Sequence, residues 1–262
     1  MIPYFVFDHI SIGPLNFYTW GFFFGLAFAV GYFLTLYRAK KKNISVQQIL
    51  ILTWIIFLGA ALGSRVAYLL QFPNQLLSDV SLLWRFYQGG LMIWGGILGA
   101  ILFFWLYVKI AKMDFWEMAD LFTPAVALGI GIGRIGCFLI NDHIGAATSL
   151  PWGILWPDGI SRHPVALYES LVGFALFAIF WYLPFNKLRV FLKSKPAGSL
   201  FLLFLASYAA IRFFLDFLRA SKVILADPRW LGLTSSQWIS LGVFIFVLLF
   251  LIKRKNTKIN ST

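Results

Sequence analysis

Long apolar stretches separated by short polar ones dominate the chain. An α-helix needs about 20 residues to cross roughly 30 Å of hydrocarbon, because each residue advances the helix axis by about 1.5 Å. The pattern therefore predicts an all-α polytopic membrane protein with helices at about 17–37, 48–70, 91–109, 118–141, 165–184, 197–217 and 236–252.

Two connecting segments are long enough to carry structure of their own. The segment 71–90 is too polar and too interrupted to span, so we expect an amphipathic arm along the membrane surface. The segment 142–164 is expected to form a long loop outside the cytoplasm. No internal repeat or low-complexity linker is visible, and we therefore predict a single membrane domain over 1–262.

Composition excludes a soluble domain and argues against a nucleic-acid partner. Hydrophobic residues make up 60% of the chain and charged residues 12%, with a mean hydropathy of +0.82. A soluble domain is closer to half apolar and a quarter charged. The net charge of +12 lies in short runs between the apolar stretches, which is the placement of orientation signals rather than of a nucleic-acid face.

The distribution of basic residues predicts the orientation. Fourteen Lys or Arg residues flank one set of helix ends, and five lie in the opposite loops. Because basic residues are retained on the cytoplasmic side, the richer side is predicted to be cytoplasmic. With seven helices, the N-terminus then lies outside and the C-terminus inside.

Three arginines fall inside predicted spans, namely Arg65, Arg134 and Arg212. Each costs roughly 2.5–3.5 kcal/mol at a helix centre, so an intramembrane arginine is a functional candidate. In the predicted topology all three lie within about two helical turns of the outer surface. Glu169 and Asp216 lie at the same level, and we expect these five groups to converge there.

Helix six ends with a polar stripe of Tyr208, Arg212, Asp216 and Arg219. Spacings of four and three place these side chains on one helix face. Asp216 is therefore expected to neutralise and orient Arg212 or Arg219. A simple salt bridge at a helix end, or snorkelling to the interface, is the structural alternative.

Small residues accompany Arg134 on helix four. The spaced glycines do not form a dinucleotide-binding loop, because that motif follows a β-strand. Ala125, Gly129 and Gly133 recur at four-residue spacing, which predicts close helix packing and also leaves room for a lipid head group beside Arg134. The single cysteine, Cys137, is interpreted as a packing residue.

The outer loop and the start of helix five supply further polar candidates. No spacing typical of a metal site or of a nucleophile motif occurs, and no cofactor or metal is expected. Two or more guanidinium groups suit a phosphate. The residues alone thus predict a site for an anionic head group, with the nucleophile supplied by a second substrate. The loop candidates are Asn141, Asp142, His143, Gly145, His163 and Tyr168.

The chain resembles the prolipoprotein diacylglyceryl transferase family. The matching segments occur in the same order through nearly the whole sequence, which makes the set far more specific than any one of them. They are LGSRVAYLL at 62–70, GGLMIWGGILGA at 89–100, GRIGCFLIND at 133–142, SLPWGI at 149–154, RHPVALYE at 162–169, RFFLDFLR at 212–219 and the TSSQWISLG segment before the last helix.

This resemblance implies a multi-pass enzyme of the bacterial cytoplasmic (inner) membrane. Its implied reaction transfers the diacylglyceryl group of phosphatidylglycerol to the lipobox cysteine of a prolipoprotein signal peptide and releases glycerol phosphate. Arg134 then matches the family's lipid-binding arginine and Arg212 its second essential one. Asp216 and Arg219 match the rest of the same helix motif.

Three positions depart from the family pattern. Trp94 stands where a histidine general base is often proposed, Cys137 where asparagine is common, and Trp20 where tyrosine is expected. Tryptophan accepts no proton, so a base would be His143, with an ordinary pKa near 6.5, or Asp142. The phosphate itself, or no base, is the alternative. A divergent acceptor and a lipid or anion transporter are the competing functions; no repeat favours a transporter.

Overall fold

The computed structural model describes residues 1–13, 15–73, 79–84, 92–182, 197–221 and 227–259. Among these residues, seven helices are long and apolar enough to cross a membrane, which confirms a seven-span all-α membrane protein. Every bound lies within a few residues of its prediction except the end of the last helix. The helices are α1 Thr19–Lys41, α2 Val46–Leu69, α3 Ile93–Ile110, α4 Phe115–Leu139, α5 Val165–Tyr182, α6 Ser199–Leu215 and α7 Ser235–Ile259.

Residues with left-handed backbone lie beside several helix ends. Asn43 follows α1 with φ 56°, Lys112 follows α3 with φ 53° and Asn141 follows α4 with φ 51°. A residue in this conformation turns the chain out of the helix, and asparagine adopts it more readily than most. The apolar pattern therefore sets where each helix runs, whereas these single residues set where it stops.

Short β-strands lie in the connecting segments and were not predicted. β1 pairs in parallel with β4, which pairs with antiparallel β5; the other two pairs, β2 with β3 and β6 with β7, are antiparallel. They occupy segments too short for hydrophobic periodicity to be read. The strands are β1 Ile2–Pro3, β2 His9–Ile12, β3 Leu15–Tyr18, β4 Ile154–Leu155, β5 Ser161–Arg162, β6 Arg229–Trp230 and β7 Leu233–Thr234.

The described residues divide into two compact units. Unit A comprises Met1–Gly31 and Phe122–Thr262, and unit B comprises Tyr32–Leu121. Helices α1 and α4 each contribute residues to both. The single domain over 1–262 stays a prediction.

Unit A has an aromatic and aliphatic core between α4, α5 and α6. Its buried residues come from all three helices, and half of the α4 span is buried against 11% of the α1 span. A helix that is apolar all round and mostly exposed is expected to face lipid, whereas α4 is enclosed by protein. The core residues are Ala127, Leu176, Phe180, Leu200 and Phe204.

Unit B is built on a close approach of α2 and α3. A Cβ atom added to Gly63 would lie 2.3 Å from the carbonyl oxygen of Gly95, and one added to Gly99 would lie 2.1 Å from that of Gly59. Both distances are far below van der Waals contact, so this interface admits only glycine at its centre. Gly95 and Gly99, four residues apart on α3, both lie at this interface.

The same interpretation is wrong for Gly129 and Gly133 of α4. A Cβ atom at either position would meet nothing within 4 Å among the described residues. A glycine of α4 that does pack closely is Gly131, since a Cβ on the neighbouring Gly173 would lie 2.4 Å from its nitrogen. Spacing identified a face of small residues but not what that face contacts.

The predicted surface arm lies only partly within the described residues. Val80–Trp84 forms a short 3-10 helix. Residues 74–78 and 85–90 of the predicted arm lie outside the described residues. The Nε atom of Arg65, in α2, donates to the backbone oxygen of Leu82 at 2.9 Å, so the described part of this segment contacts α2 within unit B.

Candidate active site

A buried glutamate, Glu169 on α5, lies at the centre of the polar residues of unit A. Its side chain is 1% exposed, and three guanidinium groups surround it. Arg134 on α4 places Nε 2.6 Å from Oε2, Arg219 places Nη2 3.0 Å from Oε1, and Arg212 on α6 contacts Oε1 through Nη1. Three helices thus meet at one carboxylate, as the predicted common depth requires.

A second buried carboxylate, Asp216, follows the end of α6. Asp216 contacts both arginines of the predicted stripe: Arg212 Nη2 lies 3.2 Å and Arg219 Nε 3.0 Å from Asp216 Oδ1, whereas Tyr208 packs against the apolar core of unit A. The helix tightens to a 3-10 turn over Asp216–Leu218, which aligns residues three apart and brings Arg219 over Asp216. These five residues, Arg134, Glu169, Arg212, Asp216 and Arg219, are called the arginine cluster below.

The three arginines differ in how many of their donors are occupied. Arg219 is 4% exposed, and its third edge, Nη1, lies 2.6 Å from Asp227 Oδ2, so every nitrogen of its guanidinium faces a carboxylate. Arg212 is 9% exposed, and its Nη2 also donates to Ser236 Oγ at 3.3 Å. Both groups are enclosed by carboxylates and hydroxyls of unit A.

Of the three arginines, Arg134 alone has one edge of its guanidinium group held by a carboxylate and another edge exposed. Its side chain is 18% exposed and its Nε is held by Glu169. Among the described residues, its terminal nitrogens make one long hydrogen bond, from Nη1 to Cys137 Sγ at 3.9 Å. A thiol is a weak acceptor, and a phosphate oxygen would displace it. Open space at Gly129 and Gly133 adjoins this residue in sequence.

Arg65 was predicted to join the same group of charges. It belongs to unit B, where its Nε bonds Leu82 and its guanidinium lies 5.8 Å from the ring of Tyr68. Its described contacts are therefore made inside unit B, and the ones that define the arginine cluster are made inside unit A.

The loop after α4 supports the cluster through its backbone. Ala146 N donates to Leu218 O at 2.7 Å, and Ala220 N donates to Ile144 O at 2.9 Å. Gly145 passes so close to another loop segment that a Cβ atom would lie 2.0 Å from the His163 carbonyl oxygen. Gly145 is therefore required by a close backbone approach, and its predicted part in substrate binding stays a prediction.

Asn141 and Asp142 differ in their surroundings. The Nδ2 atom of Asn141 donates to the Phe5 carbonyl oxygen at 2.5 Å and so ties the N-terminal segment to the end of α4. Asp142 is 46% exposed, and its Oδ2 lies 3.5 Å from His143 Nε2. Of this pair, Asp142 is the one that a substrate can reach from solvent.

His143 does not have the ordinary pKa that the sequence led us to expect. Burial and, to a smaller extent, the charge of Arg219 lower its pKa to about 4, although the charge of Asp142 partly opposes them. The imidazole is therefore neutral throughout the neutral pH range. Taking a proton from a thiol of pKa about 8.5 would cost roughly 6 kcal/mol, since each pKa unit corresponds to about 1.4 kcal/mol.

His163 and Tyr168 form a separate hydrogen-bonded group with Trp152. The hydroxyl of Tyr168 accepts from Trp152 Nε1 at 2.8 Å and lies 3.2 Å from His163 Nδ1. Burial lowers the pKa of His163. The side-chain contacts described for this group do not include a member of the arginine cluster, so the predicted roles of His163 and Tyr168 in substrate binding stay predictions.

Sequence reasoning missed Asp227 and the residues that begin α7. Asp227 completes the enclosure of Arg219, and Thr234 donates to Asp216 Oδ2 at 2.5 Å. Asp227 lies in a loop without periodicity and left no signal. Thr234 did, because Thr234-Ser-Ser-Gln237 has the spacing of a helix capping box.

Together with Asp227, the arginine cluster sets three guanidinium groups against three carboxylates. One guanidinium edge remains open, at Arg134. Such an arrangement favours an anion that brings one charge and offers paired oxygens. The fold and this site define the class: an integral membrane protein of seven helices with a buried cluster of arginines and carboxylates near the ends of α4 and α6.

Comparison with known proteins identifies the family within that class. The family model described as prolipoprotein diacylglyceryl transferase matches residues 8–253. The chain belongs to this family. Relatives named phosphatidylglycerol–prolipoprotein diacylglyceryl transferase occur in Bordetella avium (32% identity, 98% of this chain and 99% of the relative), Pasteurella multocida (34%, 92% and 87%) and Pseudoalteromonas atlantica (36%, 82% and 78%).

Proposed function

We propose that this protein transfers the diacylglyceryl group of phosphatidylglycerol to the lipobox cysteine thiol of a prolipoprotein. The thiolate sulfur forms a bond to the glycerol carbon that carries the phosphate ester. The carbon–oxygen bond breaks, and glycerol phosphate leaves with the electron pair. The observation that carries this proposal is the open guanidinium edge of Arg134, held in place by the buried Glu169.

The open edge suits the leaving group of this reaction. Negative charge grows on the phosphate as the carbon–oxygen bond breaks, and a donor already fixed in position stabilises it without reorganisation. Glu169 fixes Arg134 from the opposite side of the guanidinium. Arg212 and Arg219 hold Glu169 in turn, so they act on the head group through their field and through the placement of Arg134.

His143, in the loop after α4, is not suited to accept the thiol proton. The pKa of His143 near 4 makes this residue a poor base. The positive groups that help lower it, Arg219 and Arg134, would equally favour a thiolate over a thiol. Electrostatic stabilisation of the thiolate, with the proton passing to solvent or to the departing phosphate, is therefore the mechanism we propose.

The location we propose is the bacterial cytoplasmic membrane, with the N-terminus outside and the C-terminus inside. Its support is the distribution of basic residues. Arg38, Lys40 and Lys41 end α1, and Lys109 ends α3. The arginine cluster lies at the other ends of the helices, beside the end of α4 and the start of α5. In this orientation the cluster opens to the outer leaflet, where an exported lipobox cysteine arrives.

A reconstituted assay tests the proposal directly. Purified protein in phosphatidylglycerol vesicles is incubated with a lipobox peptide, and mass spectrometry follows the diacylglyceryl adduct together with released glycerol phosphate. We expect both products in equal amounts. A Cys→Ser peptide is the matched control and should give neither. Lipid movement without adduct would instead favour a transporter, and hydrolysis of lipid without peptide adduct would indicate another acceptor.

The variant Arg134→Lys sharpens this assay. Lysine keeps the positive charge but lacks the planar fork that holds Glu169 and phosphate at once. We expect transfer to fall more than tenfold, a loss of at least about 1.4 kcal/mol of transition-state stabilisation, while membrane insertion is unchanged. Near-normal turnover by the lysine variant would remove the direct contact of Arg134 with the head group.

A further inference from the structure

The first turn of α7 carries a reciprocal capping box. Gln237 N donates to Thr234 Oγ1 at 3.1 Å, and Thr234 N donates to Gln237 Oε1 at 2.9 Å. Such a box satisfies two of the backbone N–H groups that a helix start leaves without partners. Thr234 is 2% exposed and Gln237 is fully buried. Helix caps are usually at the surface, so this one is unusual in its burial.

The hydroxyl of Thr234 also forms a hydrogen bond with the arginine cluster. It donates its single proton to Asp216 Oδ2 at 2.5 Å while it accepts from Gln237 N. A hydroxyl has one proton to give and two lone pairs to receive with, so its direction is fixed by these contacts. The helix cap and the carboxylate of the arginine cluster therefore share one oxygen atom.

This contact determines how Asp216 faces its arginines. With Oδ2 occupied by Thr234, Oδ1 is the oxygen that lies 3.2 Å from Arg212 Nη2 and 3.0 Å from Arg219 Nε. A carboxylate held at one oxygen cannot rotate to exchange its two oxygens. The hydroxyl thus fixes the orientation of the carboxylate and, through it, of both guanidinium groups.

Two more contacts connect the same turn to α6. Gln237 Nε2 donates to the backbone oxygen of Phe213 at 3.2 Å, and Arg212 Nη2 donates to Ser236 Oγ at 3.3 Å. The start of α7 therefore holds α6 at its backbone, at Arg212 and at Asp216. These contacts fix the rotation of α6 about its axis at the level of the cluster.

We propose that Thr234 is a positioning residue for the transfer reaction, acting by donating a hydrogen bond to Asp216 and thereby aiming Arg212. This inference rests on the proposed function. Thr234 touches no reacting atom; it sets the geometry of a group that stabilises the transition state. A displacement of about 1 Å in such a group is enough to slow catalysis about a hundredfold.

Two substitutions separate this role from that of a helix cap. Asp and Ser both cap helix starts about as well as Thr. Ser also donates a proton to Asp216, whereas an ionised Asp cannot. We therefore expect Thr234→Ser to keep kcat within about threefold of the wild type and Thr234→Asp to lose more than tenfold in kcat, with KM for phosphatidylglycerol changed less than kcat.

A double variant tests the route through Asp216. If Thr234→Asp is not recovered in a folded form, Thr234→Val replaces it in the comparison with Thr234→Ser. Valine keeps the shape of threonine but lacks the hydroxyl. In an Asp216→Asn background, Thr234→Val should cause little further loss, because the group it orients is already changed. Thr53→Val is the control: Thr53 is buried in α2 and donates to its own helix at Ile49 O, so kcat should stay near that of the wild type.

The outcomes distinguish this inference from the proposed function. No adduct from the wild type would overturn both. An active wild type with Thr234→Asp turning over as fast as Thr234→Ser would overturn the positioning role alone and leave Thr234 as a cap. Additive losses in the double variant would likewise overturn it, because they would show that Thr234 acts independently of Asp216.

Discussion

The arginine cluster of unit A and the α2–α3 contact of unit B hold helices together in opposite ways. In the cluster, Glu169 and Asp216 are enclosed by guanidinium groups at hydrogen-bonding distance. In unit B, Gly63 and Gly99 place backbone directly against backbone. The first contact depends on charge and direction, and the second depends on the absence of side chains.

Because of this difference, the two regions tolerate different kinds of substitution. A charged network can readjust around a group of slightly different size but not around a missing charge, because a buried ion without its partner is very unstable. A glycine contact has the reverse sensitivity, since one methyl group forces the backbones apart. Four predictions follow this contrast from the largest expected effect to the smallest.

Glu169→Gln should be the most damaging single substitution in unit A. It keeps the size of the side chain but leaves three arginines against fewer negative charges. We expect unfolding to become easier by about 3–5 kcal/mol and transfer to be lost. Thermal unfolding in detergent measures the first. The control is Glu117→Gln: Glu117 is half exposed and pairs with Lys42 at 3.4 Å, a surface pair worth about 1 kcal/mol or less. Equal shifts in the two variants would contradict this ranking.

Arg212 and Asp216 should behave as one unit in catalysis. If Asp216 acts by orienting Arg212, Arg212→Ala should lower kcat by about a hundredfold or more, because it removes both the charge that acts on the head group and a group that holds Glu169 and, through it, Arg134. Asp216→Asn should lower it less, and the double variant should resemble Arg212→Ala. Single-turnover transfer rates for the four proteins measure this. Losses that simply add would show that the two residues act separately.

Glycine substitutions should destabilise unit B more than unit A. Gly99→Ala places a methyl group about where Gly59 O lies, and we expect a loss of about 1–3 kcal/mol in stability. Gly129→Ala adds the same methyl group where no described residue lies within 4 Å, so the thermal midpoint should not fall. The two variants differ only in position. Similar midpoints for both would mean that the α2–α3 contact relaxes easily.

His143→Gln should have the smallest effect on transfer. Because the folded pKa near 4 lies below the ordinary 6.5, the unfolded chain binds more protons between these values, and wild-type stability falls as pH drops through that window. The variant should therefore lose less stability than the wild type between pH 6.5 and 4. Its pH–rate profile from 6.5 to 9 should run parallel to that of the wild type. A step near pH 6.5 present only in the wild type would restore His143 as a base.

Hydropathy predicted the seven spans because lipid imposes one simple requirement on length and composition. The sequence also predicted that Arg134, Glu169, Arg212 and Asp216 come together, because they stand at matching distances from helix ends, and the structure shows their contacts. A charged residue in an apolar span is easily recognised in the sequence, and few other charged residues are available to pair with it.

Other features of the site depended on what the chain brings together. The contact between Arg219 and Asp227 is not indicated by any spacing in the sequence. The low pKa of His143 arises from burial, which a loop sequence does not reveal. The open faces of Gly129 and Gly133 were mistaken for packing because periodicity tells which residues share a face and not what lies opposite. The spacing of Thr234 and Gln237 does indicate a capping box, but it does not indicate that Thr234 contacts Asp216.

The order of residues along the chain gives the arginine cluster a consequence for biogenesis. During synthesis Arg134 reaches the membrane before Glu169 has been made, and Arg212 follows both. An arginine alone in a span costs roughly 2.5–3.5 kcal/mol on insertion scales. We therefore expect the translocation machinery to retain α4 until α5 arrives and to release them as a pair. A ribosome-bound chain ending before Glu169 should leave α4 less completely integrated than one ending after α5.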